Sequence, residues 1–113
     1  MLTPHFKIIM NNLGKLALDQ ARYDEASTYL SKALAVKPDH TGALNNMGWC
    51  LVNQGQYAES EHYFRRAIEI DPKFTNAVNN LSIVLAVLGR PEEAGGNAKN
   101  GAEEGQSSAA KKE

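Results

Sequence analysis

Apolar positions along the chain follow a helical rhythm that stops and restarts. Leu44, Met47, Gly48, Leu51 and Val52 share one helical face, and Tyr63, Phe64, Ala67, Ile68 and Ile70 share another. Gly55 interrupts the rhythm between them. The Asp71-Pro72 pair ends the second run, because a residue before proline avoids the helical basin. The pattern predicts two helices joined by a tight turn over 41–74.

That hairpin recurs with a period of 34 residues, which separates Pro4, Pro38 and Pro72 and also the pairs Asn11-Asn12, Asn45-Asn46 and Asn79-Asn80. Segments 7–40 and 41–74 align without a gap through Asn11/Asn45, Asn12/Asn46, Gly14/Gly48, Gln20/Gln54, Tyr23/Tyr57, Glu25/Glu59, Tyr29/Tyr63, Ala33/Ala67 and Pro38/Pro72. From 75 onward the register continues at Asn79, Asn80, Leu81, Leu85, Gly89, Glu93 and Ala94. A fixed period of this size means stacked supersecondary units that bury a shared core. Gly14 and Gly48, with Ala33 and Ala67, leave room for close helix crossing.

The strings Leu13-Gly14, Ala26, Leu30, Ala33, Pro38 and Met47-Gly48, Leu51, Ser60, Phe64, Ala67, Pro72 resemble the tetratricopeptide repeat. A third, shorter set is Leu81-Ser82, Leu85, Ala94 and Ala98. The resemblance covers residues 3–95. It implies an all-α, right-handed superhelix of stacked antiparallel helix pairs, about two and a half to three repeats long. The expected organisation is a lead-in over 1–6 that closes a preceding repeat, repeats at 7–40 and 41–74, and a degenerate repeat at 75–95. A low-complexity tail follows over 96–113. Five sound helices and a weak sixth are expected, because Gly95-Gly96 costs a helix roughly 2 kcal/mol relative to alanine.

Composition explains the weak end. All eight aromatic residues lie between Phe6 and Phe74, whereas alanine is the only apolar residue type from Gly95 to Glu113. Such a tail buries too little apolar surface to offset its ordering entropy. Val84, Leu85 and Leu88, next to it, are then either poorly shielded by a degenerate, fraying last helix or candidates for an uncapped surface covered by another copy of the chain or by another protein.

Family geometry places the first helix of each repeat on a concave face. It puts Asn11, Asn12, Lys15, Asn45, Asn46, Trp49, Asn53, Asn79, Asn80 and Ile83 there, with Leu18, Asp19, Val52 and Asn76. An asparagine amide donates and accepts, so a ladder of Asn12, Asn46 and Asn80 suits the backbone of an extended peptide. The same asparagines equally suit bonds between neighbouring repeats, and Trp49 suits either the groove or the packing beneath it. Some family members clamp a C-terminal carboxylate with paired lysine, asparagine and arginine residues. Only Asn46 matches that pattern, since Asn11, Lys15, Asn76 and Asn80 stand at the other positions. Binding of a chaperone tail in that manner is therefore not expected. The ladder looks more like repeats that hold extended segments through their backbone, including those attached to sugar-transferring enzymes.

Charge and reactive groups narrow the function further. With 12 basic and 13 acidic residues the formal charge is −1, and the basic residues are interleaved with acids, which argues against nucleic acid as partner. No apolar run approaches a membrane span, and no secretory signal is visible at the start, so a cytoplasmic protein is expected. The single cysteine, Cys50, suits a small core position. His5, His40 and His62 do not converge and read as solvated. With no nucleophile–base pair or metal-spaced cluster, the chain reads as a non-enzymatic scaffold for a protein or peptide, without cofactor or metal.

Overall fold

The computed structural model describes residues 3–94. Five helices run through them: α1 (Phe6–Asp19), α2 (Tyr23–Val36), α3 (Thr41–Asn53), α4 (Tyr57–Ile70) and α5 (Thr75–Val87). A further helical segment begins at 92–94. The tail expected over 96–113, and most of the weak sixth helix, lie outside the described residues. The helices form antiparallel pairs of a superhelix. Each packs on the next, and α1 also touches α3 as α3 touches α5.

The turn inside each pair has one construction. The backbone N–H of Arg22, Gln56 and Arg90 reaches back to the carbonyl of Ala17, Leu51 and Leu85 at 2.7–2.8 Å. The preceding N–H groups of Ala21, Gly55 and Gly89 bond Leu18, Val52 and Ala86. This double closure satisfies the last helical carbonyls and needs a left-handed residue just beyond the helix. Gly55 and Gly89 supply it at φ +78° and +80°, but the first repeat uses Ala21 at φ +60°. The turn between pairs depends on proline instead. Lys37 and Asp71, each followed by proline, take nearly the same extended backbone, φ −138° and −136° with ψ 91°.

Glycine sets the closeness of each pair. A methyl group built on Gly48 would lie 2.6 Å from the Phe64 ring, and one on Gly14 would lie 2.6 Å from the Leu30 side chain. Phe64 and Leu30 are fully buried, as are Ala26, Ala33, Ala67 and Ser60. Ser60 escapes an unsatisfied hydroxyl by donating to the Tyr57 carbonyl at 2.7 Å. Cys50 is buried in the α1–α3 part of the core. Its Sγ donates to the Tyr23 carbonyl at 3.3 Å, and burial, helped by Asp24, pushes the thiol pKa up.

Two expectations need correction. Val84 and Leu85 do not form an open surface: both are fully buried in a cluster with Phe64 of α4 and Leu81. Leu88 is half-buried and packs against that cluster with Ala94. Val84 occupies the register position of Cys50, which faces the preceding helix pair, so the array itself covers it. His40 is not a solvated joint either. It is half-buried and caps α3, its Nδ1 accepting from the Ala43 N–H at 3.2 Å. Burial, with Lys37 and Lys7 nearby, holds its pKa below the usual histidine value.

Beyond α5 an ion network ties the start of the next helix down. Arg90 makes a two-pronged contact with Glu61, 3.0 Å on each arm, and its Nε meets Glu93 at 2.7 Å. Arg65 Nε donates to the same Glu61 at 2.8 Å. The Glu61 side chain is only 12 % exposed. Burial alone would raise its pKa, but the hydrogen bonds from Arg90 and Arg65 prevail and hold it below the usual carboxylate range.

Candidate functional site

The asparagine pairs recur one turn into α1, α3 and α5, so stacking brings them side by side. Asn46 donates its side-chain amide to Asn11 Oδ1 at 2.9 Å, and Asn80 donates to Asn45 Oδ1 at 3.0 Å. Each bond therefore joins neighbouring pairs at an offset of 35 residues, one more than the repeat. The ladder is a diagonal stitch between α1, α3 and α5, and the inter-repeat role left open by the sequence is realised. Stitching uses one acceptor and one donor per pair. The carbonyl of Asn46 and of Asn80, and the NH₂ of Asn11 and of Asn45, form no other side-chain bond among the described residues.

The amides of Asn45, Asn46 and Asn80 border an open cavity of about 320 Å³, and that of Asn11 does not. Asn45, Asn46 and Trp49 come from α3, Asn76, Asn79 and Asn80 from α5, and Lys15, Leu18 and Asp19 from α1. Trp49 has two roles, because the half-buried ring lines this cavity and packs against the clusters beneath it. Its backbone carbonyl accepts from Asn53 Nδ2 at 2.8 Å, and Asn53 Oδ1 accepts from the Tyr23 hydroxyl at 3.4 Å. Asn53 is thus a link to α2 and, unlike Trp49, does not line the cavity. Lys15 Nζ is paired with Asp19 at 3.1 Å, so the two charges of the cavity wall neutralise each other.

Other expected residues stand apart. Asn12 and Asn79 are exposed and form no side-chain hydrogen bond among the described residues; Asn79 lines the cavity, and Asn12 does not. Ile83, one turn beyond Asn79, is 48 % exposed and does not line the cavity. A second cleft of about 460 Å³, which the repeat pattern did not signal, has Leu34, Leu44 and Tyr63 as its apolar lining. Glu59, His62 and Arg66 supply its polar groups. Among the described residues no group of His, Cys, Asp and Glu is placed to hold a metal ion. No described helix is long and apolar enough to cross a membrane.

Comparison with known proteins agrees with this geometry. Two tetratricopeptide repeat models match the sequence, over residues 7–73 and 46–109. No curated protein matches it. Among solved structures, the first TPR of Spaghetti (RPAP3) bound to the HSP90 peptide SRMEEVD superimposes with a TM-score of 0.81 at 19 % identity, covering 90 % of this chain and 81 % of that one. The first TPR domain of human RPAP3 gives 0.80 at 21 % identity, covering 89 % and 80 %. The Arabidopsis OM64 TPR domain gives 0.77 at 17 % identity, covering 84 % and 78 %. At these identities the likeness is one of fold.

Proposed function

The chain belongs to the tetratricopeptide repeat family, and on that premise we propose that it is a non-enzymatic interaction module that captures an extended peptide in its concave groove. One observation carries the reading: the stitched amides of Asn45, Asn46 and Asn80, which keep spare donors and acceptors, line a cavity that Trp49 also lines. A peptide unit offers one C=O and one N–H, which an asparagine amide matches together. Each such bond contributes about 1 kcal/mol net, so apolar contact with Trp49 and Ile83 would supply much of the remainder. The Spaghetti domain is seen with an acidic HSP90 peptide. In this chain the groove cation, Lys15, is already held by Asp19, which supports backbone recognition over charge recognition.

Titration of a peptide library against the wild type and the Asn46→Ala and Trp49→Ala variants tests the reading. Weakened binding in both supports it, and unchanged affinity in both removes it.

One observation favours a second reading, self-association. Ile9 and Leu16 are 48 % and 54 % exposed, while Ala43, Ala77, Cys50 and Val84, their counterparts in the later repeats, are fully buried. Among the described residues no helix covers these α1 positions as the preceding pair covers those of α3 and α5. Sedimentation of the wild type and an Ile9→Glu/Leu16→Glu variant decides: a wild-type monomer at high concentration excludes this reading.

A further inference from the structure

The groove repeats its polar handles at a spacing that selects one backbone conformation. The Asn11–Asn46 pair joins α1 to α3, and Asn45–Asn80 joins α3 to α5 in the same way, at 2.9 and 3.0 Å. Those helices are in direct contact, and packed helices lie roughly 8–10 Å apart. Asn46 and Asn80, one repeat apart on α3 and α5 and both lining the cavity, are on that basis separated by about 8–10 Å. A β-type strand turns the same side to a surface every two residues, or about 6.6–6.8 Å. It would meet one pair in phase and the next out of phase. A polyproline II segment repeats every three residues, or about 9.3 Å, and meets both pairs in phase.

Four further features fit the same reading. Polyproline II has no internal hydrogen bonds, so its carbonyl and N–H groups stay free for the amides. Each stitch fixes the orientation of its amides before any ligand arrives, which lowers the ordering cost of binding. Trp49 lines the cavity bordered by Asn46 and by the Asn45–Asn80 pair, and aromatic surfaces in grooves are what proline-rich segments dock against. Lys15 and Asp19 cancel, so the cavity wall offers no unpaired charge to a charged peptide.

We propose that the groove selects a neutral, proline-containing segment in the polyproline II conformation, one residue in three meeting each amide pair. The proposal rests on the groove being the peptide site. Trp49 is the only tryptophan in the chain, so its emission reports groove occupancy without any substitution. The probes are blocked neutral peptides of about 12 residues, with proline, glycine or valine at every third position and alanine and serine between. The expected result is a Trp49 emission change with the proline peptide, at about tenfold higher affinity than with the glycine peptide and weaker still with valine. Glycine or valine peptides binding as tightly as the proline one overturn the inference and leave the peptide groove standing. No response to any peptide, by emission and by calorimetry, overturns both. Emission that shifts with protein concentration alone assigns the groove to a second copy of the chain and likewise overturns the inference.

Discussion

Asn80 donates its side-chain amide to Asn45 Oδ1 at 3.0 Å, across the boundary between two repeats. Asn45 is nearly buried, so its acceptor has little water to turn to. Replacing it with alanine leaves the Asn80 donor without a partner at a half-buried site. Asn45→Ala is expected to lower unfolding free energy by about 1–2 kcal/mol. Asn12→Ala, at an exposed position with no such bond, should stay within about 0.5 kcal/mol of wild type. Urea denaturation of both measures this, and equal effects would show that the stitch has no energetic role.

The turn at Ala21 holds a non-glycine residue at φ +60°, where Gly55 and Gly89 serve in the other repeats. A Cβ in that region costs roughly 1–2 kcal/mol, partly offset by the greater unfolded-state entropy of glycine. Ala21→Gly should therefore stabilise the fold by about 0.5–1 kcal/mol. Gly55→Ala meets no atom within 4 Å, so its loss would report backbone strain alone. Thermal melts of the two variants should move in opposite directions.

Gly48 and Gly14 occupy the same register position but differ in what confronts them. Both neighbours are wholly enclosed, but Phe64 sets three atoms of one rigid ring within 2.9 Å of the added methyl, where Leu30 sets two atoms of a branched aliphatic chain at 2.6 Å. Gly48→Ala should cost about 2–3 kcal/mol, and Gly14→Ala less. Chemical denaturation ranks them, and the reverse order would contradict the steric account.

His40 and Glu61 both contribute to acid sensitivity. His40 caps α3 through a neutral Nδ1, and its folded pKa is lowered, chiefly by burial. The unfolded chain therefore binds this proton more readily, and stability should fall as pH drops below about 6.5 through the lower folded value. The Glu61 carboxyl is also held low, by Arg90 and Arg65 against the opposing effect of burial. Its contribution is present above about 4.3 and is lost as pH falls through the folded value. Melts across pH 4–8 should show the first loss in wild type, with its slope reduced in His40→Ala and retained in Glu61→Gln.

The period, the five described helices, their joints and the glycine crossings could all be read in one dimension. They arise from local causes: apolar spacing along a helix, proline's effect on its predecessor, and the absence of a Cβ at fixed intervals. The asparagines and Trp49 could be read as positions, but not as partners. Asn11, Asn45 and Asn79 share a register position, yet the first two accept a bond and the third is left exposed. Leu16 and Val84 likewise share a position, one open and one buried. Only stacking separates them, because a residue's environment depends on which of the described helices packs against it. The sequence by itself determined the repeat and the residues it offers. The tertiary structure decided which amides pair, which apolar side stays open and what the groove still presents, because each of these requires neighbouring helices to be in place.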